Sequence, residues 1–122
     1  MPQRFIGPVD NATPMDVNVV CQSLHVVAYR VWHRRPSVSK EWKIVGDGQT
    51  ADDKADHFQL NVTRDDEIAY WLGIGGTKPN IPYAVVITLA QAGKVLDGGA
   101  LVETGPTDGE GVAVVNDGAT LR

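Results

Sequence analysis

The chain has 122 residues, 43% of them hydrophobic and 21% charged, and carries a net charge of −4 from 11 basic and 15 acidic side chains. That balance excludes a disordered polyelectrolyte, and a single cysteine, Cys21, excludes an internal disulfide scaffold. An acidic chain fits nucleic acid poorly, because such binders are usually basic as domains, and no apolar run is long enough for a membrane-spanning helix.

One domain, 1–122, is expected from this length. Residues 1–15 carry Pro2, Pro8 and Pro14 and read as an extended N-terminal arm, laid along the body or a neighbour. Strands are predicted over 16–21, 23–34, 41–46, 57–63, 67–74, 83–91, 94–104 (broken at Gly98-Gly99) and 111–116. No window sustains an apolar pattern of helical period. The fold class is therefore all-β: an antiparallel sandwich of about seven to eight strands, immunoglobulin-like or jelly-roll-like.

Strand 23–34 is apolar on both faces, with Leu24, Val26, Ala28 and Trp32 on one and Val27, Tyr29 and Val31 on the other. Strand 83–91 behaves likewise, with Tyr83, Val85, Ile87 and Leu89 backed by Ala84, Val86 and Ala90. Such strands belong in sheet interiors or under a partner, which points to a homo-oligomer. Residues 47–56 read as a polar loop.

The segments 57–63 and 67–74 alternate cleanly and are joined by Arg64-Asp65-Asp66, so they are predicted to pair as a hairpin. An even register places Val62 opposite Ile68, Leu60 opposite Tyr70 and Phe58 opposite Leu72 on the core side. The other face then gathers Trp71 with Gln59, Asn61 and His57, beside small Ala69 and Gly73. An indole among small and hydrogen-bonding neighbours suits a flat, partly apolar ligand such as a sugar, and these four are the candidate ligand-binding residues.

Charge divides along the chain. Residues 1–45 hold six basic and three acidic side chains, and residues 46–122 hold five and twelve. This reads first as attraction between the halves, within or between chains, and second as an anion site at Arg34-Arg35.

No pattern argues for catalysis, so an enzyme is not expected. Cys21 and His25, four residues apart, would lie roughly 13 Å apart on an extended strand at about 3.3 Å per residue. No paired spacing suits zinc. The stretch from Asp47 fails the EF-hand pattern, with Asp52 where glycine is required and Phe58 at the twelfth position. A looser calcium site from Asp47, Asp52, Asp53 or Asp56 is the one cofactor considered; otherwise none is expected. Gly73-Ile74-Gly75-Gly76 precedes Pro79 and Pro82 rather than a helix, which removes a dinucleotide site. Asn11-Ala12-Thr13 and Asn61-Val62-Thr63 match the glycosylation sequon. The N-terminus shows no secretory signal, so the default compartment is cytoplasmic, with secretion by another route left open.

Residues 94–115, with the turn Thr107-Asp108-Gly109-Glu110-Gly111, resemble the end of bacterial immunoglobulin-like and transthyretin-like domains. That resemblance implies a sandwich and carries no active site. The expected function is non-enzymatic recognition, lectin-like, through Trp71. The alternative is a structural or assembly protein whose apolar strand faces form a homo-oligomer interface.

Overall fold

A computed structural model describes residues 4–21, 26–51, 55–76, 79–80 and 82–122, without side-chain detail for Cys21, Thr50 and Ala51. Nine strands follow in order: β1 (Phe5–Ile6), β2 (Met15–Cys21), β3 (Val26–Arg34), β4 (Lys43–Ala51), β5 (Ala55–Leu60), β6 (Glu67–Gly75), β7 (Pro82–Gln91), β8 (Lys94–Pro106) and β9 (Val112–Leu121). They form a five-stranded sheet, β1-β9-β6-β3-β4, and a four-stranded sheet, β5-β2-β7-β8. All pairings are antiparallel except β1 with β9. Among the described residues there is no helix, and none long and apolar enough to cross a membrane.

Period two explains the core. In β6, Ile68, Tyr70, Leu72 and Ile74 are buried while Glu67, Ala69, Trp71 and Gly73 are not. Val17 and Val19 of β2, Val27 and Val31 of β3, and Val85, Ile87 and Leu89 of β7 join them in one cluster between the sheets. The two doubly apolar strands take interior positions: β3 lies between β4 and β6, and β7 between β2 and β8. Tyr70 ties the sheets together, its hydroxyl donating to Glu103 Oε1 at 2.6 Å and accepting from Arg4 Nη1 at 3.2 Å.

The arm lies along the body. Phe5 and Ile6 pair with Thr120 and Leu121, and buried Gln91 donates to the carbonyls of Asp10 and Thr13 at 2.9 and 2.7 Å. Strand β8 continues through Gly98-Gly99, where a break was expected. A register shift between Thr88 and Ala90 absorbs the irregularity, and Gly98 has φ 75°. The final turn is built as its sequence suggests: Asp108 Oδ1 accepts from the amides of Glu110 and Val112, and Gly111 has φ 80°.

Two expectations require correction. Residues 57–63 and 67–74 do not form a hairpin. Strand β5 pairs with β2, and β6 pairs with β3 and β9, so residues 61–66 cross from one sheet to the other. The inward and outward faces come out as period two demands, but alternation is equally satisfied when the facing apolar rows lie on different sheets. Buried Asp66 fixes the crossing instead of a hairpin turn, accepting from the Thr63 amide and hydroxyl at 2.9 Å each.

Nor are residues 47–56 a polar loop, since β4 runs to Ala51 and β5 starts at Ala55. Low strand propensity is overridden by fit. A Cβ at Gly46 would stand 2.4 Å from the Phe58 ring, and one at Gly48 3.1 Å from the Tyr29 hydroxyl, so glycine makes room for these rings. Those rings stack at 6.4 Å between centroids, bridging the two sheets.

Candidate functional site

The outer face of the five-stranded sheet is the candidate site. Trp71 lies on it, opposite Arg30 of β3 and Asn116 of β9. Its indole lies over Gly73, where a Cβ would come within 2.5 Å of the ring, so the ring occupies the space a side chain would fill. On the neighbouring strand, Trp32 sits opposite Ala69, diagonal to Trp71. Trp42, just before β4, continues this line. The Arg34 guanidinium stacks over it at 4.3 Å. All three tryptophans of the chain therefore share one face.

Shallow hollows separate the rings. One of about 300 Å³ lies among Arg30, Trp32 and Trp71, and one of about 200 Å³ among Trp32, Trp42 and Ala69. A third, about 430 Å³, opens beside Trp42 and is lined by Arg4, Glu67, Asn116 and Asp117 among others. Two arginine–carboxylate pairs flank the row, Arg30–Asp47 at 3.2 Å and Arg34–Glu67 at 2.8 Å, while Arg4–Asp117 at 3.1 Å lies on the core side of the same sheet, beside the Tyr70 hydroxyl. Small residues at the cross-strand positions, Ala69, Gly73 and Gly118, keep the floor low.

The other three candidate residues lie elsewhere. His57 and Gln59 stand on the outer face of the four-stranded sheet, opposite Asn18 and Asp16. Gln59 Nε2 donates to Asp16 Oδ1 at 2.7 Å, and His57 Nε2 lies 3.3 Å from the same oxygen. The Gln59 hydrogen bond leads in holding the Asp16 carboxyl below its usual range, and burial opposes it. Asn61 is exposed in the segment crossing between sheets. The expected cluster of Trp71 with Gln59, Asn61 and His57 is thus divided between opposite sides of the molecule, because it rested on the hairpin register. Trp71 has Arg30, Asn116 and Trp32 as neighbours instead. The alternation of Trp32 in its strand was visible in the sequence; the β3–β6 pairing that sets it beside Trp71 was not.

A second polar cluster lies at the end of β3. Asp66, wholly buried, accepts from Arg35 Nε at 3.0 Å, Arg35 Nη2 at 3.1 Å and His33 Nε2 at 2.8 Å. Burial opposes ionisation of this carboxyl, but the hydrogen bonds from Arg35, His33 and Thr63 outweigh it and hold the group below its usual 3.8. Beside it a hollow of about 180 Å³ is lined by His33, Arg34, Arg35, Ser39 and Lys43 among others.

The residues considered for calcium do not converge where they are described. Asp47 pairs with Arg30, Asp56 lies by the Tyr29 hydroxyl, and Asp52 and Asp53 fall outside the described residues. Among the described residues no group of three or more His, Cys, Asp or Glu could hold a metal ion. The Cys21–His25 pair also falls outside what is described. No family model, no curated protein and no solved structure matches the chain.

Proposed function

We propose that this chain is a non-enzymatic recognition module that binds saccharide on the outer face of its five-stranded sheet. One observation carries the reading: Trp71, Trp32 and Trp42 form a row across that face, with hollows between them and arginine–carboxylate pairs at their rims. Sugar rings present flat C–H faces that stack on indoles and hydroxyl edges that exchange hydrogen bonds with charged groups. The five-stranded sheet offers such a ligand a broad outer face.

Titration calorimetry against a panel of oligosaccharides tests this reading. Trp71→Ala and Trp32→Ala should each weaken binding at least tenfold, while His57→Ala and Gln59→Ala on the opposite sheet should not. Unchanged binding in both tryptophan variants would overturn the assignment.

The second reading is assembly through the same sheet. Val26, Val112 and Val114 are 46%, 43% and 58% exposed at one end of this face. Exposed apolar residues grouped on one surface mark interaction sites. Sedimentation of the wild type and of Val114→Lys separates the readings, because only an assembly that uses this end dissociates on substitution.

A further inference from the structure

We infer that the saccharide bound here is a neutral, straight chain with equatorial linkages, lying diagonally across β6, β3 and β4 and stacking on Trp71, Trp32 and Trp42 at once. The inference rests on the reading of the tryptophan face as a saccharide site and names the chemical class of its ligand.

Three observations support it. First, the register sets the three tryptophans in a line. Trp71 lies opposite Arg30, and Trp32 stands two residues farther along β3, opposite Ala69 and Ile44. Continued past His33–Lys43, the β3–β4 register sets Trp42 opposite Arg34, whose guanidinium stacks on it. Each step from one tryptophan to the next is therefore one strand across and two residues along. That is about 8 Å between Cα atoms, and two such steps in one direction make a row of roughly 16 Å. One sugar ring covers one indole, so a row of this length takes a chain rather than a single sugar.

Second, the row is open at both ends. Trp42 stands at the β4 edge of the sheet, 40% exposed, and the same diagonal runs on past Trp71 over Gly73 to Val114, 58% exposed. A site for a chain terminus closes around the last ring. An open row admits rings from the middle of a chain, which enters at one end and leaves at the other.

Third, hydrogen-bonding groups come once per step, on alternate sides of the row, with their charges balanced. Arg30 fills the corner between Trp71 and Trp32, and Arg34 the corner between Trp32 and Trp42 on the other side of the diagonal. Asp47 and Glu67 neutralise them at 3.2 and 2.8 Å. Arg30 also lines the hollow of about 300 Å³ between Trp71 and Trp32, so a sugar bridging those indoles reaches its guanidinium. A flat ribbon lying on the rings carries hydroxyls along both edges and meets one arginine–carboxylate pair at each. Axial linkages curl a chain away from a straight row, and the balanced charges give an acidic chain no advantage.

Calorimetry on the full chain with cellobiose, cellohexaose and maltohexaose tests this. Cellohexaose should bind at least tenfold tighter than cellobiose, because rings of one chain meet neighbouring indoles at high effective concentration. It should also bind at least tenfold tighter than the curled maltohexaose, with an advantage that survives high salt. Trp42 is exposed ahead of β4, so Trp42→Ala should fold normally. It should weaken cellohexaose by about three- to tenfold and narrow its lead over cellobiose, and Trp42→Phe should restore most of the loss. If cellobiose or maltohexaose binds as tightly as cellohexaose, or Trp42→Ala leaves that lead intact, the straight-chain class is wrong while the tryptophan site stands. If none of the three binds, the straight-chain class is wrong, and the wider oligosaccharide panel with Trp71→Ala and Trp32→Ala decides the tryptophan reading separately.

Discussion

Asp66→Asn tests the link between stability and the candidate site most directly. The carboxylate is 0% exposed and accepts from the Thr63 amide and hydroxyl, from His33, and twice from Arg35. Asparagine keeps the shape but turns an NH2 group toward donors, so at most part of this set survives. Removing one partner of a buried ion pair costs about 3–5 kcal/mol. Arg35 is 36% exposed at its side chain and can still reach water, which places the expected loss near the lower end, about 3 kcal/mol at neutral pH. That is a large fraction of the roughly 5–15 kcal/mol that holds a domain folded.

The pH dependence provides an independent check. The folded-state pKa of Asp66 lies below the ordinary 3.8, so its contribution is complete above that value and is lost as pH falls through the folded value. Asparagine does not titrate. Urea unfolding of both proteins should therefore show a constant gap from about pH 7 to pH 5 and a narrowing gap as the pH falls from about 4 to 2. A loss under about 1 kcal/mol, or a gap that ignores pH, would refute the role given to this carboxylate.

Gly46→Val should destabilise by about 1–3 kcal/mol through collision with the Phe58 ring, and Phe58→Ala in the same chain should remove most of that strain while adding its own cavity cost; urea midpoints of the two singles and the double decide it. Burial, reinforced by Asp56, pushes the Tyr29 phenol up to about 12 from 10.0, so its neutral form is favoured in the fold. Stability should be intact below pH 10 and fall as pH rises toward 12, and phenolate absorbance should show this tyrosine ionising late. Gln91→Ala removes the contacts to Asp10 and Thr13 that pin the arm. It should cost roughly 2 kcal/mol and speed proteolysis within residues 4–14, detected by mass spectrometry of the fragments.

Most of the fold was legible because period two is a local property. The buried set of β6 and the interior positions of β3 and β7 follow from side-chain alternation alone. The pairing of β5 was not legible. Phe58 and Leu60 face inward whether their strand lies beside β6 or across the core from it, so no one-dimensional pattern separates the two arrangements. The polar second half of β4, beyond the predicted strand 41–46, was hidden for a different reason. Its glycines and aspartate signal a loop by propensity, and only the Phe58 and Tyr29 rings and the Arg30 partner, all distant in sequence, make an extended conformation favourable. The site inherited both effects: Trp71 on an outer face was readable, whereas its neighbours Trp32, Trp42 and Arg30 come from pairings that were not.

The charges on the tryptophan face bear on whether it meets a saccharide or another copy of the chain. Arg30–Asp47 and Arg34–Glu67 both lie on it with substantial water access. In a two-fold interface each pair would be covered twice, and desolvating charges costs several kcal/mol per ion unless new hydrogen bonds replace the lost water. Sugar hydroxyls supply such bonds to arginine and carboxylate alike. The valines group with Gly75 at one end of this face, while Arg34 and Glu67 lie at the other. An interface confined to Val26, Val112 and Val114 would leave the hollows beside Trp42 open. Assembly and recognition then compete for different ends of one face, and two open sites held in a fixed dimer would gain avidity for a repeating ligand.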